Sequence, residues 1–334
     1  MRILVTGGAG FIGCNLVESL LEEGHIVTVV DNYCTGRKGN LDRLIDNENL
    51  EVIEDDITLW NWRKIKKPFD QIYNLACPAS PVAYQAIPIE TWMSSTLGTY
   101  NIIRCALEHK ATFLHTSTSE VYGDPHITPQ DEKYLGYVNC YGPRACYDEG
   151  KRAAEALIFD FQRVAGLNAR IVRIFNTYGP WMAADDGRVI SNFVNQALDG
   201  RKLSIFGDGS QTRSFCYVSD NIAGLKTVMN SKCQTPVNLG NPEEFTMLEL
   251  AEKVNFMVHG LKISDPDQHI QYHDLPVDDP KQRCPNIKKI KMLGWKPTVS
   301  LDKGLKETVK HFQLSRSWDN KPKHPGLLLQ LSGV

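Results

Sequence analysis

The chain has 334 residues, 42% of them hydrophobic, and a net charge of −2, enough for a large core in one extended domain or two closely joined ones. The near-neutral balance gives no general drive toward nucleic acid or an anionic membrane, and no apolar run is long enough to span a bilayer. The nine cysteines (14, 34, 77, 105, 140, 146, 216, 233 and 284) are odd in number, irregular in spacing and contain no Cys-x-x-Cys pair, so we expect neither a disulfide framework nor a metal site.

From Met1 the chain enters a strand pattern directly. With reduced cysteines, this predicts a cytoplasmic protein without a cleaved leader. Arg2–Thr6 reads as a buried strand, and residues 11–23 as a helix with Ile12, Leu16, Leu20 and Leu21 inward. Strands follow at 26–30, 50–53, 71–75, 112–115 and 169–173, with helices at 91–109 and 147–164. Strands separated by helices predict an α/β fold with a parallel, doubly wound sheet, whose ligands lie at the carboxyl ends of the strands. Beyond Pro180 the chain is richer in Gly, Pro and polar residues, with shorter helices near 189–198, 220–229, 247–259 and 301–312. The expected division is a Rossmann domain over residues 1–180 with a returning segment at about 212–245, a smaller substrate-binding domain over 181–314, and a tail over 315–334.

The run Gly7-Gly-Ala-Gly-Phe-Ile-Gly13 follows the first strand and opens the first helix, the context required of a dinucleotide fingerprint. Gly7, Gly10 and Gly13, with Phe11 and Ile12, bring helix amides to a pyrophosphate. Asp31 ends the second strand 18 residues after Gly13, where its carboxylate can accept ribose hydroxyls, with Asn32 beside it. A 2′-phosphate would meet like charge there, so NAD is expected over NADP, although Arg37 and Lys38 are near. Asp56 and Ile57 after the third strand, and Leu75 and Ala76 at the end of the fourth, are candidates for the rest of the groove.

Among 12 tyrosines only Tyr147 has a lysine four residues later, Lys151. On a helix the two share a face. Beside the hydroxyl-rich strand end Thr116-Ser-Thr-Ser-Glu120, a cation near the phenol can favour phenolate for proton transfer.

With Gly7–Gly13, Thr118, Tyr147 and Lys151 on this frame, the chain resembles the extended short-chain dehydrogenase/reductase family, whose members modify nucleotide sugars. Its runs Ser117-Thr-Ser-Glu-Val-Tyr-Gly-Asp124, Gly142-Pro-Arg-Ala-Cys-Tyr-Asp-Glu-Gly-Lys-Arg152, Asp186-Gly-Arg-Val189, Gly209-Ser-Gln-Thr-Arg213 and Val237-Asn-Leu-Gly-Asn-Pro242 resemble the UDP-glucuronate decarboxylase branch, from Arg2 to about Phe312. The resemblance implies UDP-glucuronate as substrate and a bound, recycled NAD. Tyr147 would take the C4 hydroxyl proton, with Lys151 lowering its pKa and Thr118 sharing the oxygen. A C4 ketone β to the C5 carboxylate then lets CO₂ leave, and UDP-xylose results. Related dehydratases carry an acid where Ser119 stands, so expulsion of water is not expected; Ser119 can bond the substrate carboxylate. Glu120 would either position a water or destabilise that carboxylate by repulsion. Arg283 is expected on the sugar carboxylate with Arg144 as a second candidate, Arg213 on ribose or phosphate, and Asn176 and Asn192 on phosphate or sugar oxygens; Arg188 is a weaker candidate. Ser95, Cys77, Cys140 and Cys284 depart from the family pattern outside this set.

The competing readings are a C4 epimerase of the same fold and a nucleotide-sugar-binding protein without chemistry. A homodimer is also expected. The helices over 91–109 and 147–164 show apolar residues over a wider arc than one sheet face needs, with Ala154, Leu157, Ile158, Phe161 and Val164 on the second.

Overall fold

The computed structural model describes residues 1–263, 265–274 and 282–319. The amino-terminal half alternates strand and helix: β1 Arg2–Thr6, α1 Phe11–Glu22, β2 Ile26–Asp31, β3 Leu50–Glu54, β4 Gln71–Asn74, α2 Pro81–Ala86, α3 Pro88–Met93, α4 Thr99–His109, β5 Thr112–Thr118, α5 Ala145–Ala165 and β6 Ala169–Ile174. Next come β7 Thr177–Tyr178, α6 Val189–Leu198, β8 Leu203–Phe206, β9 Thr212–Ser214, β10 Cys216–Tyr217, α7 Val218–Met229 and β11 Val237–Leu239. The chain continues with β12 Glu244–Thr246, α8 Met247–His259, α9 Pro266–His269, β13 Ile270–His273, α10 Lys288–Met292 and α11 Leu301–Asp319.

Seven strands form one parallel sheet in the order β11-β6-β5-β4-β1-β2-β3. Ile3, Leu4 and Val5 of β1 are fully buried because both sheet faces are covered. Leu16, Val17 and Leu20 of α1 and Leu225 and Val228 of α7 cover one face. Ile102, Ile103 and Ala106 of α4 and Ile158 of α5 cover the other. A second core joins Phe193 and Val194 of α6, Leu250 and Val254 of α8, and Leu305 and Val309 of α11. The chain order reverses between β1 and β4, which opens a crevice at their carboxyl ends.

Three local differences have physical causes. The helix expected over 91–109 is broken: α3 and α4 are joined by a π-helical turn at Ser94–Gly98. There the Thr96 hydroxyl bonds the Trp92 carbonyl (2.8 Å), and a Cβ on Gly98 would lie 2.5 Å from Ile57 Cδ1, so the turn sits hard against the third crossover. The sheet gains β11 from only three residues, paired with Val172, Arg173 and Ile174. Helix α11 runs seven residues past the expected end at 312; the rest of the expected tail, 320–334, lies outside the described residues.

Candidate active site

The Gly-rich turn is shaped for a close-lying ligand. Gly7 has a left-handed φ of 71°, and a Cβ there would sit 2.8 Å from the Ala76 amide; one on Gly13 would fall 2.1 Å from the Gly7 carbonyl. Only glycine lets β1, α1 and β4 converge this tightly. Asp31 braces the turn, accepting from the Ala9 amide (2.9 Å) and the Tyr33 amide (2.8 Å). Burial raises its pKa, while those two amides pull it down.

Two connected cavities open at the strand ends. The larger, about 550 Å³, is lined by Gly7, Gly10, Phe11, Ile12, Gly13, Leu75, Thr118, Ser119, Glu120, Tyr147, Lys151 and Asn176. The smaller, about 70 Å³, adds Asp31, Asn32, Asp56, Ile57 and Ala76. Asn32 donates to Asp56 (2.8 Å), whose other oxygen takes the Thr58 hydroxyl (2.6 Å), tying the ends of β2 and β3 together. Arg37 pairs with Asp185 and Lys38 with Glu54, so each cation near the Asp31 pocket has a carboxylate partner.

β5 and α5 bring the reacting groups together. β5 is buried through Thr118, and a 3-10 turn follows in which the Glu120 amide donates to the Thr118 hydroxyl (3.2 Å). One turn apart on α5, Tyr147 and Lys151 face this strand end. Tyr147 and Thr118 line the same cavity, and Lys151 Nζ donates to the Thr116 carbonyl (2.8 Å). The Lys151 ammonium lies 5.9 Å from the centre of the Tyr147 ring. Burial raises the Tyr147 pKa, and the Thr118 hydroxyl and Arg188 only partly oppose this. Burial likewise lowers the Lys151 pKa, partly opposed by Cys77 and Glu155.

Both carboxylate-binding candidates engage Glu120. Arg283 grips both oxygens of Glu120, with Nη2 to Oε2 at 2.7 Å, and Arg144 donates to Oε2 at 2.6 Å. Burial would raise the Glu120 pKa, but Arg283 and Arg144 outweigh it and hold it below the usual carboxylate range. Arg283 is therefore not an open fork awaiting substrate. Its buried Nε, however, has no partner and remains a donor to be spent. Arg144, Arg283, Arg213 and Asn192 are not among the residues lining the larger cavity: Arg213 pairs along the backbone with Arg283 and donates to the Thr212 carbonyl (2.9 Å), and Asn192 donates to the Gly187 carbonyl (3.0 Å). Arg188 does line the cavity and donates to the Ala79 carbonyl (2.9 Å).

Two residues were missed in the sequence. The Tyr84 ring stacks on Tyr147 (centroids 5.0 Å apart, planes within 2°), and its buried hydroxyl has no partner. Asp148 joins the Arg144–Glu120 cluster. Tyr84 is 63 residues before Tyr147 and outside every motif, so no spacing signal exists for it. Asp148 sits inside the Gly142–Arg152 run, where an acid directly after Tyr147 carries no spacing signal of its own.

Residues 3–240 match the NAD dependent epimerase/dehydratase family. UDP-glucuronic acid decarboxylase 1 of Danio rerio is 48% identical over 329 residues, 96% of this chain and 76% of its own length. UDP-glucuronic acid decarboxylase 6 of Arabidopsis thaliana is 50% identical over 316 residues, 94% of this chain and 89% of its own length. Among solved structures, a UDP-glucuronic acid 4-epimerase from Bacillus cereus, in complex with UDP-glucuronic acid and NAD, superposes with a TM-score of 0.84 at 27% identity, covering 94% of this chain and all of that one.

Proposed function

Because the chain belongs to the NAD dependent epimerase/dehydratase family, we infer that it is a UDP-glucuronate decarboxylase that uses a recycled NAD and forms UDP-xylose. The observation that carries this reading is the Arg283 cluster: a buried guanidinium fixed to Glu120 beside the Thr118–Tyr147–Lys151 group, with an unspent Nε donor. A neutral sugar has no use for a second buried cation; a carboxylate at C5 does.

The residues present fit the dinucleotide. Gly7, Gly10 and Gly13 give the pyrophosphate room against the α1 amides, and Asp31, Asn32, Asp56, Ile57, Leu75 and Ala76 wall the adenosine end. When bound, oxidised NAD supplies a positive charge near the Tyr147 phenol and the oxidation and later re-reduction of sugar C4. Tyr147 takes the C4 hydroxyl proton, and Thr118 holds the same oxygen. Lys151, fixed on the Thr116 carbonyl, stabilises the phenolate. With a ketone at C4, the bond from C5 to the carboxylate breaks, CO₂ leaves, and the electron pair rests in an enolate. A proton at C5 completes the pentose. Arg283 Nε and the Ser119 hydroxyl hold the carboxylate, while Glu120 fixes Arg283 in place. Ser119 is not an acid, so nothing at that position protonates a leaving hydroxyl.

Incubation with UDP-glucuronate should release CO₂ and UDP-xylose. UDP-galacturonate without CO₂ would instead mark a C4 epimerase, and no product would mark a binding protein. The functional unit in this reading is a homodimer built on the exposed apolar side of α3, α4 and α5.

A further inference from the structure

Asp148 directly follows Tyr147 on α5, and its side chain is 9% exposed. Its Oδ2 lies 3.8 Å from Arg144 Nε, too long for a hydrogen bond, and its Oδ1 is buried without a partner. The groups around it come from four elements: Arg144 just before α5, Glu120 from the turn after β5, Arg283 from the carboxyl-terminal segment, and Tyr84 from α2; Glu149 follows it on its own helix. Of the two carboxylates between these guanidiniums, Glu120 takes three close contacts and Asp148 only the long one. Asp148 is the weakly held member. A buried, unpartnered oxygen is far less costly on a neutral carboxyl than on an anion.

We propose that Asp148 compensates the substrate's charge, so that binding of UDP-glucuronate loads one proton onto Asp148 as the sugar carboxylate enters the Arg283–Glu120–Arg144 cluster. This rests on the substrate reading above. A further anion among these groups raises the proton affinity of every neighbouring carboxylate, and the one least held by cations responds first. Asp148 is already poised for this: burial and the Glu120 charge push it up to about 7, while Arg144 and Arg283 pull the other way. The sign follows by linkage. Well below its midpoint Asp148 carries a proton before substrate arrives, and binding takes up none. Above it the proton must be recruited, so affinity for UDP-glucuronate falls as pH rises, by up to about tenfold per pH unit. UDP-xylose has no carboxylate and should show no such fall.

The test is calorimetry on the NAD-loaded protein carrying Tyr147→Phe, which slows turnover by about 100-fold or more, in two buffers of different ionisation enthalpy just above neutrality. The expected result is uptake of about one proton per UDP-glucuronate and almost none for UDP-xylose. Asp148→Asn should abolish the uptake and flatten the pH dependence of UDP-glucuronate affinity; Asp148→Glu should retain both. Equal heats in the two buffers, or uptake that persists in Asp148→Asn, overturns the proposal. Should Asp148→Asn not fold, the parent protein decides alone: UDP-glucuronate must add a protonated-carboxyl band to the infrared difference spectrum that UDP-xylose does not, and its absence overturns the proposal. Proton uptake without CO₂ release by the unaltered protein would leave this inference standing and defeat decarboxylation. Failure to bind UDP-glucuronate would overturn both.

Discussion

At Tyr147 one oxygen atom separates packing from chemistry. The ring stacks on Tyr84 and fills the wall, while the hydroxyl is the group that the proposed proton transfer needs. Tyr147→Phe keeps the first and deletes the second. We expect an unchanged melting temperature and NAD affinity, with decarboxylation down by about 100-fold or more, the scale of a positioned acid–base group. Near-normal turnover in this variant would remove Tyr147 from the mechanism. Arg283 poses the opposite case, because its guanidinium is spoken for by Glu120. Arg283→Ala leaves Glu120 buried with Arg144 as its remaining described cation, and breaking a buried pair costs about 3–5 kcal/mol. Affinity for UDP-glucuronate should fall by roughly 100-fold or more, while affinity for UDP should barely change. Arg283→Lys should recover only part, since an ammonium lacks the planar fork. Equal losses for UDP and UDP-glucuronate in titrations would make Arg283 a diphosphate ligand. The residue types at this site were legible from local runs, because Tyr147, Lys151 and Thr118 sit in short motifs. Their mutual pairing was not: Glu120 and Arg283 are 163 residues apart and meet only through the fold.

The elements that carry these groups are cross-braced beneath them. Glu155, one turn after Lys151 on α5, accepts from the Ser117 hydroxyl of β5 and from Arg173 of β6 through Nε (3.0 Å) and Nη2 (2.7 Å). Arg173 also donates to the Tyr122 hydroxyl (3.0 Å), which donates to Asn238 of β11 (2.7 Å). One buried network therefore fixes α5 against three neighbouring strands. Glu155→Gln strands the Arg173 charge at about 3–5 kcal/mol, and at about 2–4 °C per kcal/mol for a chain this long the melting temperature should drop by roughly 6–20 °C. Glu155→Gln with Arg173→Met should regain much of the loss; a single variant that melts with the parent would show the network to be dispensable. Elements such as β1, α1, β2 and α5 were readable because burial on both sheet faces writes long apolar runs, and a helix facing the sheet writes a periodic stripe. β11 was not, since Val237-Asn-Leu239 is too short to carry a period. The break at Ser94–Gly98 was hidden for a different reason: the helical pattern continues through it, and the cause, Ile57, comes from another crossover.

At the scale of the whole molecule, the apolar surface left uncovered by the fold decides the assembly. The surplus expected on α5 is mostly consumed inside: Ala154 and Ile158 are fully buried, and Leu157 and Phe161 pack against the sheet core, leaving Val164 75% exposed. The unspent surface comes from Ile89 (70% exposed), Trp92 (40%) and Met93 of α3, Leu97 of the π-helical turn and Tyr100 of α4, mostly within the 91–109 stretch that was also expected to pair, and from Phe159 (61%) of α5. α3, α4 and α5 are neighbours, with Tyr100 and Phe161 rings 6.0 Å apart, so these side chains rise from one joined layer. Large apolar groups gathered on one layer mark an interface, and a twofold axis is the simplest way to cover a self-complementary helix face. The same layer holds α5, so pairing would also brace the helix that positions Tyr147 and Lys151. Light scattering at micromolar concentration should give twice the chain mass. Trp92→Asp, which places a charge on that layer without entering the core, should shift the mass toward one chain and lower the melting temperature in a concentration-dependent way. A single-chain mass for the unaltered protein at that concentration would refute the dimer.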